Sequence, residues 1–263
     1  MIPFLKVEGL ANDFLLIDLR DQPDRIAALQ ARAPDLCHRR TGVGGDGLLL
    51  LLPPTSPRAL ATMVVINHDG SRPEMCGNGL RCVALFLAKA PGPLLIDTDA
   101  GPRQCTVDPS ADRTTGEIEV DMGIATLQGE RRVAGHVFTA VSVGNPHAVT
   151  FVDAATDPEQ LAREHGPLVE RDPQFPARTN VEFARREPDG SLTLWVWERG
   201  CGITSACGTG ACATVAAAVH HGIVPPGASI PVHLPGGRLT VRWQDGRVWM
   251  TGPARLVFRG AID

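Results

Sequence analysis

The chain has 263 residues, 43% of them hydrophobic and 21% charged, and its formal net charge is −4 at pH 7. This composition predicts a soluble globular protein with one large domain or two domains of about 130 residues each. The negative balance excludes the basic surface that would bind nucleic acid or an anionic membrane. No stretch reaches the roughly 20 apolar residues of a membrane helix, and the N-terminus is too short and too charged for a signal peptide.

We therefore expect a cytoplasmic protein whose seven cysteines are reduced. Their odd number and the lack of a Cys-Xaa-Xaa-Cys pair argue against a disulfide framework and against a zinc knuckle.

Apolar periodicity and turn residues predict the secondary-structure elements. In chain order they are strands at 5–8 and 14–18, a helix over 24–40, strands at 48–52 and 61–66, a helix over 80–89, strands at 137–143 and 192–197, a helix over 211–221, and strands at 238–242 and 248–251. One half should give way to the other near 117–120, where no linker is obvious.

Three details of this prediction bear on the structure. Pro34 should bend or end the first helix, because proline lacks the N–H that the helix needs. The glycine-rich loop at 41–47 is not a phosphate-binding loop, because no Lys-Ser or Lys-Thr follows it and no helix starts there. The helices over 80–89 and 211–221 are apolar around nearly their whole circumference, which predicts that each is fully enclosed, for instance by a strongly curved sheet.

The tetrapeptide Cys-Gly-Xaa-Gly occurs twice, beginning at Cys76 and at Cys207, about half the chain length apart. Each copy directly precedes one of the apolar helices. The pattern indicates a duplicated unit that places one cysteine at one helix N-terminus in each half.

A helix N-terminus can activate a cysteine and bind an anion. Its unpaired N–H groups and positive dipole stabilise a thiolate, which lowers the pKa of the thiol. Glycines after the cysteine leave those N–H groups open to a carboxylate. One thiolate could then remove a proton from one face of a carbon while an opposing thiol returns a proton to the other face, inverting the centre by acid–base catalysis.

Other interpretations of these residues stay open from the residues alone. A cysteine is more often a small buried hydrophobe, which suits Cys37, Cys82, Cys105 and Cys212, while Cys201 has no evident role. A metal site built from Cys76, Cys82, Cys207 and Cys212 has spacings that point the pairs in different directions. A cysteine nucleophile paired with His147, as in a hydrolase, leaves the second cysteine unused, and an amino-acid-binding module needs neither thiol.

Asparagine is scarce in the chain, and each copy lies in a segment that looks like part of a site. Asparagine favours turns and caps, but its amide also offers a donor and an acceptor without charge, which suits a zwitterionic ligand. The five are Asn12, Asn67, Asn78, Asn145 and Asn180.

Glu198 and Arg199 precede the second cysteine segment. Such a pair is usually an exposed ion pair, but here Glu198 could hold a substrate ammonium and Arg199 a substrate carboxylate. His147 is a turn histidine that could tune a thiol pKa.

Seven segments, in order along the chain, together resemble the diaminopimelate epimerase family. They are Gly-Leu-Ala-Asn-Asp-Phe from Gly9, Gly-Val-Gly-Gly-Asp-Gly from Gly42, Asn-His-Asp-Gly-Ser from Asn67, Met-Cys-Gly-Asn-Gly-Leu-Arg-Cys from Met75, Gly-Asn-Pro-His from Gly144, Thr-Asn-Val-Glu-Phe from Thr179, and Glu-Arg-Gly-Cys-Gly-Ile-Thr-Ser-Ala-Cys-Gly-Thr-Gly-Ala-Cys from Glu198.

The resemblance implies an α/β (α+β) fold of two pseudo-symmetric halves, each a curved mixed or antiparallel sheet wrapped around a central helix. Residues 1–116 would form the half with Cys76, joined by a returning C-terminal strand at 252–263, and residues 117–251 the half with Cys207. The active site would lie in the cleft between them. The family interconverts L,L- and meso-2,6-diaminopimelate, in lysine and peptidoglycan precursor synthesis, without pyridoxal phosphate, metal or other cofactor, and bacterial members are often homodimers.

The resemblance also implies roles for individual residues. Cys76 and Cys207 would be the two bases, and His147 and Glu198 would set their pKa values, with Phe258 at the dimer contact. Substrate contacts would come from Asn12, Gly47, Asn67, Gly77, Asn78, Asn145, Asn180, Glu198, Arg199, Gly208 and Thr209.

The chain departs from the family pattern at three positions without losing a catalytic group. Gly47 stands where some members have a substrate-contacting Gln, Ala11 where Gly is common, and Ile203 where Glu is frequent. The alternative substrates are those of related cofactor-independent racemases, namely proline, hydroxyproline or histidine. The Glu198-Arg199 pair and the asparagines favour a substrate with a second amino-acid head.

Overall fold

The computed structural model describes residues 1–263. The chain forms two compact units: unit 1 comprises Met1–Val120 with Gly252–Asp263, and unit 2 comprises Asp121–Thr251. The first junction, expected after residue 116, falls inside a strand between Val120 and Asp121.

Both units alternate strands with helices. The strands are β1 (Ile2–Gly9), β2 (Asn12–Asp18), β3 (Gly47–Leu52), β4 (Thr62–Asn67), β5 (Gly92–Thr98), β6 (Arg103–Pro109), β7 (Thr115–Ile124), β8 (Thr126–Val133), β9 (His136–Ser142), β10 (Pro146–Val152), β11 (Asn180–Arg186), β12 (Leu192–Glu198), β13 (Gly202–Ile203), β14 (Ser229–Leu234), β15 (Gly237–Gln244) and β16 (Arg247–Ile262). The helices are a short 3-10 turn (Pro23–Arg25), α1 (Ile26–Cys37), α2 (Gly77–Leu87), α3 (Pro158–Glu170) and α4 (Gly208–His220).

Unit 1 is a closed ring of eight strands. The order is β1-β2-β3-β4-β5-β6-β7-β16, and the C-terminal strand β16 pairs back antiparallel to β1. From β1 onward the successive pairings are antiparallel, parallel, antiparallel, parallel, antiparallel and antiparallel. This mixed ring leaves no exposed sheet edge in unit 1.

Unit 2 repeats this plan strand for strand. From β9 to β16, along the path β9-β10-β11-β12-β14-β15-β16, the pairings follow the same series of antiparallel and parallel contacts. Helix α3 occupies the connection that α1 occupies in unit 1, and α4 occupies that of α2. The duplication predicted from the two Cys-Gly-Xaa-Gly segments is therefore present in the topology.

The run of leucines in β3 shows why the sheet needs a helix on each face. Leu48 and Leu50 pack with the α1 residues Leu29 and Leu36 in one core cluster. Leu49 points the other way, because a Cβ added at Gly79 of α2 would lie 2.6 Å from its Cδ2 atom. Side chains alternate across a strand, so a strand covered on both faces reads as a continuous apolar run.

The two apolar helices are enclosed, as their sequences predict. Helix α2 packs on β1, β2, β4 and β6, and α4 packs on β9, β10, β11 and β15. Nearly every side chain of both helices is buried. Since neither helix has a polar face to show to water, burial by the curved sheet is what stabilises it.

Pro34 does not end the helix predicted over 24–40. Helix α1 continues through Pro34 and ends at Cys37. The missing hydrogen bond costs about 3 kcal/mol in a helix interior, but Leu36 and Cys37 beyond the proline are buried against the sheet, and burying one large apolar side chain contributes about 1.5–3 kcal/mol.

Several elements were absent from the prediction, notably α3 and the parallel pair β10–β11.

The longest helices, α3 and α4, have 13 residues each. None of the helices therefore reaches the length of a membrane-spanning apolar helix.

Gly166 lets α3 pack directly on β12. A Cβ at this position would lie 2.5 Å from the Cβ and 2.7 Å from the Cγ of Trp197. Alanine favours a helix over glycine by about 1 kcal/mol, but overpacking costs about 1–3 kcal/mol. We expect Gly166→Ala to lower the free energy of unfolding of unit 2 by about 1–2 kcal/mol in urea titrations. Leu168→Ala is the control, since Leu168 is 61% exposed and its loss should stay within about 0.5 kcal/mol. Unchanged or greater stability of Gly166→Ala would contradict this packing.

Candidate active site

The topology brings the expected site residues of each unit to one edge of its sheet. In unit 1, β2 and β3 run parallel and start at the same edge, and β4 runs antiparallel to β3, so it ends there. Asn12 starts β2, Gly47 starts β3, Asn67 ends β4, and Cys76 immediately precedes α2. The repeated series places Asn145 just before β10, Asn180 at the start of β11, Glu198 at the end of β12, and Cys207 before α4.

Cys76 is the N-cap residue of α2. Its Sγ accepts a hydrogen bond from the N–H of Gly79 at 3.4 Å, and its side chain is partly accessible. The Oδ1 of Asn12 lies 3.9 Å from the sulfur. The first turn of the helix, with Gly77 and Asn78, presents N–H groups that precede the first intrahelical bond, from Leu80 to the Cys76 carbonyl.

The third residue after each cysteine is glycine because the helix start is closely packed. In unit 1 a Cβ at Gly79 would collide with Leu49, and in unit 2 a Cβ at Gly210 would lie 2.9 Å from Oε1 of Glu182. Both contacts are shorter than real Cβ atoms allow. The second glycine of the repeated tetrapeptide is therefore a packing requirement.

Asn12 is held in one orientation by a carboxylate. Its Nδ2 donates to Oδ2 of Asp46 at 2.6 Å, so its Oδ1 faces Asn78, whose Nδ2 donates to it at 3.2 Å. A carboxylate only accepts hydrogen bonds, which fixes the amide with its oxygen towards Asn78 and Cys76.

The Asp46 carboxylate belongs to a network of four charged side chains, with Arg39, Asp13 and Lys6. Arg39 bridges Asp13 and Asp46 at 2.7 Å to each, and the Lys6 ammonium pairs with Asp13. Burial by itself raises the pKa of Asp13, but hydrogen bonds from Arg39 and Lys6 outweigh it and hold the pKa below its ordinary value. The network is partly buried and charge-balanced.

Gly47 and Asn67 lie side by side in unit 1. They are paired residues of β3 and β4. A Cβ at Gly47 would lie 2.4 Å from the Ile66 carbonyl oxygen, so only the backbone of residue 47 is available to a ligand. Asn67 donates from Nδ2 to Oγ of Ser71 at 2.9 Å.

Cys207 is the N-cap residue of α4 and is only 5% exposed. Its Sγ lies 3.7 Å from Oγ1 of Thr209. Burial, followed by the negative charges of Glu198 and Glu182, raises the pKa of this thiol well above its ordinary value, while hydrogen bonds from Thr209 and the Gly210 N–H oppose the rise. These surroundings favour the thiol form of Cys207 over the thiolate.

His147 does not contact a cysteine directly. Both ring nitrogens are engaged: Nδ1 lies 2.7 Å from Oε1 of Glu182, and Nε2 lies 2.9 Å from Oδ1 of Asn145. Asn145 in turn donates from Nδ2 to Oγ1 of Thr209 at 3.3 Å. The residues form a chain of hydrogen bonds from Glu182 to Thr209, which is the neighbour of the sulfur.

Glu198 is a carboxylate next to Cys207. It accepts a hydrogen bond from the hydroxyl of Thr204. Burial raises the pKa of Glu198, and hydrogen bonds from Thr204 and Cys207 oppose the rise only in part. A carboxyl with a raised pKa beside a thiol is suited to exchanging a proton with it.

Asn180 and Arg199 are joined to each other. The Arg199 N–H donates to Oδ1 of Asn180 at 2.9 Å, and Nδ2 of Asn180 donates to the Pro146 carbonyl at 2.9 Å. The Arg199 side chain is exposed and donates once, to the Ala177 carbonyl at 3.1 Å. The amide of Asn180 thus ties the starts of β10 and β11 to the turn after β12.

Two residues of the site escaped sequence reasoning. Asp46 and Glu182 lie inside the Gly-Val-Gly-Gly-Asp-Gly and Thr-Asn-Val-Glu-Phe segments, yet no role was inferred for them. The sequence feature that could have identified Asp46 and Glu182 is their acidic side chain within a segment already assigned to the site. Of the expected residues, Phe258 forms none of the hydrogen bonds described above: it is 49% exposed on β16, opposite Lys6 of β1, and packs edge-to-face on Phe4. No cluster of three or more His, Cys, Asp or Glu that could hold a metal ion is present.

The lowered pKa of Asp13 makes the stability of unit 1 depend on pH. A carboxylate with a folded pKa below its unfolded value stabilises the fold above about pH 4, and this contribution is lost as pH falls through the folded pKa. We expect Asp13→Asn to lower the free energy of unfolding of unit 1 at pH 7 by about 1–3 kcal/mol in urea titrations, and to make little difference near pH 2. Asp24→Asn is the control, because Asp24 is exposed. An equal loss at both pH values would contradict the ion-pair network.

Comparison with known proteins places this arrangement in a family. Residues 4–128 and 139–257 match the sequence profile of the diaminopimelate epimerase family. A diaminopimelate epimerase from Desulfitobacterium hafniense is 44% identical, covering 98% of this chain and 97% of its own. One from Synechocystis is also 44% identical, covering 100% and 99%.

Solved structures share the fold. A hydroxyproline epimerase from Agrobacterium vitis superposes with a TM-score of 0.74 at 19% identity, over 99% of this chain and 90% of its own. At that identity the similarity concerns the fold alone.

Proposed function

Because the chain belongs to the diaminopimelate epimerase family, we infer that it interconverts L,L- and meso-2,6-diaminopimelate by moving a proton at one α-carbon. The enzyme is an isomerase. The observation that carries the assignment is the duplicated half-site, in which a cysteine caps a buried helix in each unit. Inverting one centre requires a base on one face and an acid on the other, and a duplicated thiol supplies one of each.

We propose that Cys76 and Cys207 act on the same carbon, one from each face. One sulfur, as thiolate, takes the α-proton and becomes a thiol, leaving the electron pair on the α-carbon, delocalised into the carboxylate. The other sulfur, as thiol, gives its proton to the opposite face and becomes the thiolate. The reverse reaction exchanges their roles, so both directions use the same two groups.

The carboxylate of the reacting centre is proposed to bind at the two helix starts. The N–H groups of Gly77-Asn78 and Gly208-Thr209 are the first of α2 and α4. They lie at the positive ends of the helix dipoles, which favour an anion and stabilise the negative charge that develops when the proton leaves.

The second amino-acid head of the substrate is assigned to the remaining polar groups. The exposed Arg199 guanidinium suits a carboxylate, which it can hold bidentately. Glu198 suits an ammonium group. Hydrogen bonds to that head or to the reacting centre come from the asparagine side chains and the Gly47 backbone, the asparagines being Asn12, Asn67, Asn145 and Asn180.

Glu198 and His147 are proposed to tune the thiols. Glu198 hydrogen-bonds Cys207 and has a raised pKa, so it can take the proton of that thiol and leave a thiolate. His147 acts through Asn145 and Thr209. A Cys–His hydrolase loses support, because both ring nitrogens of His147 are engaged by residues other than a cysteine.

The setting of the enzyme is also a proposal. Two catalytic thiols have to remain reduced, which favours the cytoplasm, and the chemistry runs on the chain's own groups without pyridoxal phosphate. The exposed Phe258 and its neighbour Val257, 47% exposed, support a homodimer through β16; a monomer in sedimentation equilibrium would refute it.

Proton NMR in D2O, with reductant and no added cofactor, tests the function. We expect the α-proton signal of L,L-diaminopimelate to decline while the meso isomer grows, with no exchange of proline, hydroxyproline or histidine. Cys76→Ser and Cys207→Ser should each lower the epimerisation rate by about 10²–10⁴-fold, since each removes an acid–base group. Cys201→Ser is the matched control, because that thiol is exposed and should be dispensable.

Other outcomes would change the assignment in defined ways. Exchange of proline, hydroxyproline or histidine in place of diaminopimelate would keep the chemistry and replace the substrate. Absence of exchange with every amino acid would overturn the epimerase assignment. Full activity of either cysteine variant would overturn the two-base mechanism.

A further inference from the structure

Glu182 is a buried carboxylate for which the mechanism has no use. It lies on β11, and its side chain and that of His147 are both 0% exposed. Burial raises the pKa of Glu182, and the charge and hydrogen bond of His147 oppose the rise. The acidic and thiol groups facing the pair are Glu198 at the end of β12 and Cys207 at the start of α4.

The burial of the pair determines where its protons are. A buried pair with net charge is costly, so the pair is neutral overall. It is then either a carboxylate with an imidazolium, or a carboxylic acid that donates to Nδ1 of a neutral imidazole. In both forms Nε2 of His147 carries a hydrogen. Two forms would lack it. A bare Nε2 beside an ionised Glu182 leaves a buried negative charge, and a bare Nε2 beside a Glu182 protonated on Oε2 leaves that proton unbonded, because Oε2 is buried without a hydrogen-bond partner.

A hydrogen on Nε2 sets the direction of the chain that follows. Nε2–H donates to Oδ1 of Asn145 at 2.9 Å, which turns the Nδ2 of that amide towards Oγ1 of Thr209 at 3.3 Å. Thr209 accepts this bond, so its own hydroxyl hydrogen is left to donate to Sγ of Cys207, 3.7 Å away. Every donor along the chain then points towards the sulfur.

We propose that Glu182 is a positioning residue for Cys207: by keeping a hydrogen on Nε2 of His147, it aligns Asn145 and Thr209 so that the Thr209 hydroxyl donates to the sulfur and stabilises its thiolate. The proposal rests on the proposed function, in which Cys207 must alternate between thiol and thiolate. This hydrogen bond opposes the burial and the negative charges of Glu198 and Glu182, which by themselves disfavour the thiolate. Glu182→Gln therefore separates two effects of one residue: slower alkylation of Cys207 means that the hydrogen-bond chain dominates, and faster alkylation means that the charge does.

Gly210 leaves room for this arrangement of Glu182 and Cys207. A Cβ there would lie 2.9 Å from Oε1 of Glu182 and 3.2 Å from Sγ of Cys207. Glycine therefore lets the carboxylate and the sulfur sit on either side of the first turn of α4. The same residue type in unit 1 faces Leu49, so only unit 2 has a carboxylate at this place.

The test measures the thiol itself and needs no substrate. Full-length protein is alkylated with iodoacetamide between pH 6 and 10, and the peptide with Cys207 is quantified by mass spectrometry. A hydrogen bond to a charged group is worth about tenfold or more in an equilibrium constant. We expect Glu182→Gln and Thr209→Val each to lower the alkylation rate of Cys207 at pH 8 by about tenfold, and the double variant to lower it no further, since both changes break one chain.

Two controls isolate the chain from a loss of packing. Glu187→Gln removes a carboxylate just beyond β11 that binds Thr193 and Arg185, and it should leave the Cys207 rate unchanged. Thr209→Ser keeps the hydroxyl and should keep the rate, so the Ser and Val variants at this position decide the question even where Glu182→Gln fails to fold.

Three results would overturn the proposal. These are an unchanged or faster alkylation of Cys207 in Glu182→Gln, multiplicative effects in the double variant, or equal rates for Thr209→Ser and Thr209→Val. The proposed function is judged separately, by epimerisation in the wild-type enzyme. An active wild type with unaltered Cys207 alkylation in the variants refutes only the role of Glu182.

Discussion

The N-terminus of a fully buried helix is the constraint on which the rest of this structure depends. Helices α2 and α4 are buried around nearly their whole circumference, so a sheet must curve around each one. The alternating parallel and antiparallel order of the strands then brings the start of the helix to the same edge as the starts of two strands and the end of a third. A cysteine in the N-cap position consequently meets polar residues that are far away in sequence.

The two units use this geometry with different electrostatics. In unit 1 the carboxylate behind Asn12 is Asp46, which is partly accessible and paired with Arg39. In unit 2 the carboxylate is Glu182, which is fully buried and paired with His147. The amide oxygen of Asn12 faces Cys76, whereas Asn145 directs a donor to Thr209 beside Cys207. Two chemically identical thiols thus lie in unlike surroundings, which suits an acid and a base that act in one turnover.

Much of this fold follows from local sequence. The leucine run of β3, the all-round apolar helices and the repeated cysteine segment each predict their element, because burial on every side leaves a continuous apolar signature. Helix α3 was not predicted, although Asp157 and Pro158 form a favourable helix start. Gly166 and Pro167 interrupt the helical pattern, and the buried face includes the charged residue Glu170. Helix α1 continues beyond Pro34 because tertiary packing buries Leu36 against the sheet.

The site residues likewise fall into those that the sequence predicts and those that only the structure shows. Residues that stand next to glycine and cysteine could be selected from the sequence, as Asn78 and Thr209 were. The partners that orient them could not, because Asp46 reaches Asn12 and Glu182 reaches His147 only through strand register. Nor could a sequence show that both nitrogens of His147 are engaged away from the cysteines.

The central claim is that two separate thiols act as base and acid on one carbon. The most direct test is the isotope content of the first meso-diaminopimelate formed from L,L-diaminopimelate in D2O, before appreciable conversion. Two thiols predict deuterium at the inverted α-carbon of the product from the first turnover, with protium still in the unreacted substrate. Protium retained at the inverted carbon would mean that one group carried the same hydrogen from face to face, and would contradict the account.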